Sequence, residues 1–196
     1  YKKIMPDLNP RETVAYEKTA GNPELRKIWK DKLLEKNPSL KDKQISLPIL
    51  VPGLTAALSY VADLFVDENK PLLAADPCWD NYELIACARR GAEFHQFKCF
   101  DEKGLNLADL EKTMKEEAEK YGSVRVILNF PQNPSGYSPT KDEVQKITKI
   151  VKDIAESGKQ VLVLSDDAYF GLNYEDDIEP QSLFAYMADL HENVLA

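Results

Sequence analysis

The 196-residue chain has little of what usually declares chemistry on its own. It carries three cysteines and two histidines. Cys78, Cys87 and Cys99 show no CxxC spacing, which argues against a zinc site or a disulfide framework and fits free thiols in a reducing cytoplasm. His95 sits in the strand-like EFHQF and reads as a packing or surface residue, not a ligand. No run of about 18 apolar residues occurs, so no membrane span is expected. The opening YKKIMPDLNP lacks the apolar centre of a secretion signal and an initiator Met, so the chain reads as trimmed. Positive charge is also short: 25 Lys and Arg stand against 33 Asp and Glu, a net charge of −8. That balance disfavours a nucleic-acid surface, which needs clustered cations. Neither GxGxxG nor GxxxxGK[ST] is present, so dinucleotide and P-loop readings lack support.

What is present is a core and a rhythm. Hydrophobic residues make up 43% of the chain, enough for one large domain. Residues 1–22 are polar and irregular. Asn22-Pro23-Glu24 then has the chemistry of a helix start, Asn as cap and Pro just inside, and the pattern predicts a helix to about Glu35. From Gln44 the units alternate. Strands are expected at 45–51, 72–75, 93–97, 124–128, 161–164 and from Asn193 onward. Helices are expected at 54–65, 79–90, 107–121, 140–156 and 181–190. Strict alternation implies an α/β fold, a mainly parallel sheet with helices on both faces. The last residues, NVLA, open an apolar element and stop, so the sheet domain reads as truncated at its C-terminus.

In such sheets ligands gather at the carboxyl ends of strands. Four expected strand ends carry unusual residues. In Val51-Pro52-Gly53-Leu54-Thr55-Ala56-Ala57 a glycine turn leads into a helix, whose first free N–H groups favour an anion. Asp76-Pro77-Cys78-Trp79-Asp80-Asn81-Tyr82 places an aromatic where it could cover a flat ring, or simply fill the gap between helix and sheet. The stretch Asn129-Phe130-Pro131-Gln132-Asn133-Pro134-Ser135-Gly136 crowds two Pro and two Asn at a strand tip; Asn133 offers both a donor and an acceptor, though the stretch is also good turn chemistry. Ser165-Asp166-Asp167-Ala168-Tyr169 puts a carboxylate beside a phenol, which could hold a protonated ring nitrogen and a ring oxygen, or serve as a helix cap and a half-buried Tyr.

Taken together and in this order, NPSG at 133–136, DDAY at 166–169, the turn GLTAA and the segment PCWDNY resemble the class I/II aminotransferases, fold-type I enzymes that use pyridoxal 5′-phosphate (PLP). The resemblance runs from about Tyr16 to the last residue. It implies that Gly53, Leu54 and Thr55 hold the PLP phosphate and that Trp79 stacks on the pyridine ring. It implies further that Asn133 and Tyr169 share the ring oxygen, and that Asp166, rather than Asp167, lies under the ring nitrogen. A fixed carboxylate there favours the protonated ring, which is what makes the cofactor an electron sink. On this reading Pro131 and Pro134 hold Asn133 rigid. Tyr16, in AYEKTAG, resembles a Tyr that reaches the phosphate of a neighbouring subunit, so a homodimer is expected. The resemblance also implies cis bonds before Pro77 and Pro134.

It implies, too, what these residues lack. From Phe170 to Ala196 there is no Lys, so the Schiff-base lysine is expected beyond Ala196 and the C-terminal small domain is expected to be absent. Residues 1–43 then form an N-terminal segment and helix, and 44–196 part of the PLP-binding large domain. The parent protein is expected to transfer an amino group from an amino acid to a 2-oxo acid, while this chain alone is not expected to do so. A C–S lyase or decarboxylase of the same fold, or a non-catalytic binding or assembly module, would share most of these features. No metal, nucleic-acid or membrane partner is expected.

Overall fold

The computed structural model describes residues 8–102 and 104–196. Its helices are α1 (Pro10–Val14), α2 (Pro23–Lys36), α3 (Leu54–Phe65), α4 (Asn81–Glu83), α5 (Leu107–Tyr121), α6 (Lys141–Glu156) and α7 (Phe184–Met187). Its strands are β1 (Leu72–Asp76), β2 (Phe94–Lys98), β3 (Phe100–Asp101), β4 (Gly104–Leu105), β5 (Ser123–Asn129), β6 (Gln160–Asp166) and β7 (Val194–Leu195). Five strands form one sheet in the order β2-β1-β5-β6-β7, every pair parallel. β3 and β4 make a small antiparallel pair that the sequence pattern did not show.

Alternation along β5 explains the two layers. Side chains of a strand point to opposite faces in turn. Val124, Val126 and Leu128 pack with Leu110 and Met114 of α5 and Val144, Ile147 and Val151 of α6. Ile127 packs on the other side with Leu58 and Ala62 of α3 and with Tyr82 and Ile85. Helices therefore cover both faces, as the alternating pattern predicts. The N-terminal segment joins separately: Leu33, Leu40 and Ile45 pack with Phe184, Ala185 and Ala188, and Asn37 Oδ1 accepts from the N–H of Ser182 (2.7 Å).

Helix ends follow local chemistry. Asn22 Oδ1 accepts from the N–H groups of Glu24 and Leu25 and starts α2. Thr140 and Glu143 form a reciprocal capping box that starts α6, and a left-handed Gly122 ends α5. Four expectations need correction. Residues 45–51 are extended but join no ladder; the N–H of Leu50 reaches the carbonyl of Ala20 (3.1 Å) instead. The helix expected at 79–90 starts at Asn81 and winds as a π-helix over Leu84–Arg89. The helix expected at 181–190 is only Phe184–Met187, because Gln181 and Ser182 spend their polar groups on Glu179, Ser39 and Asn37. The opening segment, expected to be irregular, contains α1 within its described part. The peptide bonds before Pro77 and Pro134 are cis, as expected, and so is the bond before Pro131.

β6 ends at Asp166, and the acid that follows it, Asp167, meets different surroundings. Asp166 opens toward the α3 side. Asp167 lies in a hollow with Leu128, Phe130, Val144 and Leu183, and burial pushes its carboxyl up to about 6 despite a hydrogen bond from Ser182. The folded chain thus favours a neutral Asp167. Its contribution to stability is full below the ordinary carboxylate range and is lost as pH rises through about 6.

Two outcomes follow from this packing. Ile147→Ala, at a fully buried position, should lower the unfolding free energy by about 2–5 kcal/mol in urea titrations. Asp167→Asn should raise the urea midpoint at pH 7.5 and give no gain at pH 4; an equal effect at both values would contradict the buried-acid reading.

Candidate functional site

Three strand ends and one helix start meet at the carboxyl edge of the sheet. They enclose a cleft of about 250 Å³ lined by Leu54, Thr55, Trp79, Tyr82, Asn129, Asn133, Asp166, Ala168 and Tyr169. Six of the eight residues singled out from the sequence line it: Leu54, Thr55, Trp79, Asn133, Asp166 and Tyr169. Gly53 stands next to it as the cap of α3. Tyr16 is not brought into the cleft of its own chain; it is 96% exposed.

Each side chain is placed by local structure. Gly53 adopts φ +93°, a conformation that favours glycine, and a Cβ there would meet nothing within 4 Å. The turn therefore requires glycine for its backbone and not for lack of room. The first hydrogen bond of α3 runs from Ala57 N–H to the Gly53 carbonyl (3.2 Å). The N–H groups of Leu54, Thr55 and Ala56 come before it and are left for a guest, in the arrangement that suits an anion. Trp79 is partly buried, with its ring edge-on to Tyr82 at 5.5 Å between centroids.

The floor is polar and largely buried. Asp166, 3% exposed, accepts from the Tyr82 hydroxyl on Oδ2 (2.5 Å) and from the Ala168 N–H on Oδ1 (3.0 Å). No ion pair among the described residues includes it. Burial, and then the bond to Asp166, hold the Tyr82 hydroxyl far above the ordinary phenol range, so it stays a donor. Asn129 is paired in register with Asp166. Its Nδ2 donates to the Asp166 carbonyl (2.8 Å), and its Oδ1 accepts from the N–H of Asn133 (2.8 Å). Gln132 Nε2 reaches the Pro77 carbonyl (2.6 Å), while its Oε1 accepts from the N–H and hydroxyl of Ser135. The side chains of Asn133 and Tyr169 take no partner among the described residues and face the cleft.

Tyr82, Asn129 and Ala168 are the residues that sequence reasoning missed. Tyr82 lies within PCWDNY, one helical step past Trp79, and Asn129 opens the Asn-Pro stretch. The available signal was a polar residue at a strand tip followed by a proline. The other expected bystanders stay apart. His95 is held between Glu117 (2.5 Å) and Glu93 (3.0 Å) and does not line the cleft. The three cysteines are free, with burial pushing the Cys78 and Cys99 thiols up to about 11. No described group of His, Cys, Asp and Glu could hold a metal ion, and no described helix is long and apolar enough to cross a membrane.

This donor set can take a ligand with an anionic group near the start of α3, a cationic or protonated group at Asp166, and an acceptor between Asn133 and Tyr169. Comparison with known proteins bears on the same region. A "Probable aspartate/prephenate aminotransferase" of Rhizobium leguminosarum bv. phaseoli is 30% identical over 196 residues, covering 92% of this chain and 44% of that protein. Among solved structures, an aminotransferase from Anaerococcus prevotii aligns with a TM-score of 0.83 at 24% identity, over 98% of this chain and 47% of its own. A PLP-bound structure from Clostridium difficile 630 aligns with a TM-score of 0.67 at 17% identity, over 97% of this chain and 47% of its own. The chain thus spans less than half the length of these relatives. The sequence profile described as aminotransferase class I and II matches residues 2–195, nearly the whole chain, and with the parallel sheet and its cleft this makes the chain a member of that family.

Proposed function

We propose that the cleft binds pyridoxal 5′-phosphate and that the protein bearing it transfers an amino group from an amino acid to a 2-oxo acid. The observation that carries the reading is the convergence, in one cleft, of the first N–H groups of α3 with a buried carboxylate and two polar side chains, none of which has a cation or side-chain partner there among the described residues apart from Tyr82 on Asp166. The names of the relatives support the activity, and the PLP-bound neighbour supports the cofactor.

The residues fit the group. The N–H groups of Leu54 and Thr55, after the turn at Gly53, would hold the phosphate. Trp79 would cover one face of the ring. Asp166 would face the ring nitrogen, and Asn133 and Tyr169 the ring oxygen. When bound, PLP supplies the electron sink that amino-acid side chains lack. The chain's own part is to bind and orient. Asp166, held by the Tyr82 hydroxyl and the Ala168 N–H, would present its carboxyl group to the ring nitrogen. Asn129 fixes the backbone from which Asn133 projects.

No lysine among the described residues lines the cleft, and the residues named above would bind and position. Residues 44–196 would form part of the cofactor domain, with 1–43 as an N-terminal segment. Tyr16, fully available to solvent, would reach the cleft of a second copy in a homodimer. Three unpaired cysteines support a cytoplasmic setting.

Calorimetric titration with PLP tests the site. Binding is expected, weakened about 10- to 100-fold by Asp166→Ala, the scale of a lost bond to a charged group. No binding, or equal binding by the variant, would sink the reading. For activity, full-length protein given an amino acid and 2-oxoglutarate should yield glutamate and the matching 2-oxo acid. Release of pyruvate and ammonia without an acceptor would place it among lyases instead.

A further inference from the structure

We infer that Arg125 anchors a second ligand site, at the amino edge of the sheet, for a small monocarboxylate with an apolar body. The inference is independent of the reading of the cleft, and the two hollows share no lining residue.

Strand pairing builds the site. Arg125 lies two residues before Ile127 and so on the α3 face of β5. It is in register with Leu162 of β6, and Leu162 with Leu195 of β7. This row lines a hollow of about 210 Å³, with Phe65 at the end of α3, Ser123 and Glu192 around it. The cleft lies at the other end of the strands: from Leu162 to Asp166 along β6 is about 13 Å.

The guanidinium in this hollow is buried and unpaired. Arg125 is 8% exposed. Its Nη2 donates to the Ser123 hydroxyl (2.8 Å), and its Nη1 is buried with no hydrogen-bond partner among the described residues. No ion pair among the described residues includes it. The acids whose charge reaches it are Asp67 and Glu117, and both are engaged elsewhere. Asp67 holds Lys70 (3.0 Å) and the Asn69 N–H (2.9 Å), and Glu117 holds His95 (2.5 Å). Burial pulls the guanidinium below its ordinary pKa, and the two acids offset this only in part. Arginine does not shed its proton in a protein, and a buried charge without a counterion is costly. An anion in the hollow removes that cost.

The lining selects the anion. The planar fork of a guanidinium matches a carboxylate. One cation satisfies one negative charge, and the exposed Glu192 repels a second. Leu162, Leu195 and Phe65 offer apolar surface beside the charge, which a hydrocarbon body would cover.

The test uses full-length protein and calorimetric titration with 4-methylvalerate, with 4-methylpentan-1-ol as the same body without the charge. The unsubstituted protein should bind the acid, and bind the alcohol about tenfold more weakly or worse. Arg125→Met keeps an unbranched apolar stem and should weaken acid binding by about tenfold or more. Without ligand, its urea midpoint should equal or exceed that of the unsubstituted protein, since an uncompensated buried charge is gone. No binding of the acid, equal binding of the alcohol, or equal acid binding by Arg125→Met overturns the inference. A clearly lower midpoint for Arg125→Met, or its failure to fold, overturns it as well, because the guanidinium would then already have its counterion within the protein.

Discussion

Everything at the carboxyl edge of this sheet is arranged around one buried carboxylate. Asp166 is almost wholly removed from solvent and has no cation for a partner among the described residues. A charge in that position is costly unless its oxygens are satisfied. The chain satisfies them from two directions, through its own next turn and through a phenol delivered by another element. The demand for satisfied oxygens therefore reaches beyond the strand that carries the acid. It draws on the helix after β1, which starts at Asn81 and turns Tyr82 inward.

The same logic extends to the neighbouring loop. Asn129 pairs with Asp166 across β5 and β6, binding its carbonyl with one side-chain atom and the Asn133 N–H with the other. Gln132 carries the connection onward to the Pro77 carbonyl and to Ser135. Three segments that are distant in sequence are thus tied by side chains to each other's backbones. Backbone groups at strand tips leave the ladder and must find other partners, and here buried amides supply them. The Asn133 backbone is held by one of these contacts, and its side chain has no partner among the described residues.

The legible and illegible parts of the molecule divide on physical lines. Helices α3, α5 and α6 were readable almost to the residue because start signals, end signals and apolar spacing agree, as at Thr140 and Glu143. The strands of the sheet centre were readable as short apolar runs. Residues 45–51 carry a similar run but join no ladder, because an apolar run signals burial and not the identity of a neighbour. The π-helix at 84–89 escaped notice because its apolar spacing is close to that of an α-helix. In the cleft, the residues that face a ligand stood out as unusual chemistry at strand ends. Tyr82 and Asn129 did not, since their partners are other parts of the protein and a contact across 84 residues leaves no local mark. The role assigned to the prolines was partial: the Asn133 backbone is held by a hydrogen bond from its N–H to Asn129 as well as by their rings.

Asp166 and Asp167 show what strand parity is worth. They are the same residue type, adjacent in sequence, yet one lines the cleft and the other a separate hollow. The register of β6 against β5, which ends with Asn129 opposite Asp166, places the first of them and so the one that follows. A slip of one position would trade their places, giving a protein of identical composition whose pocket is lined by the wrong acid. Fidelity of strand alignment is therefore a condition for ligand recognition here, and a misaligned sheet would be a folded but chemically silent isomer.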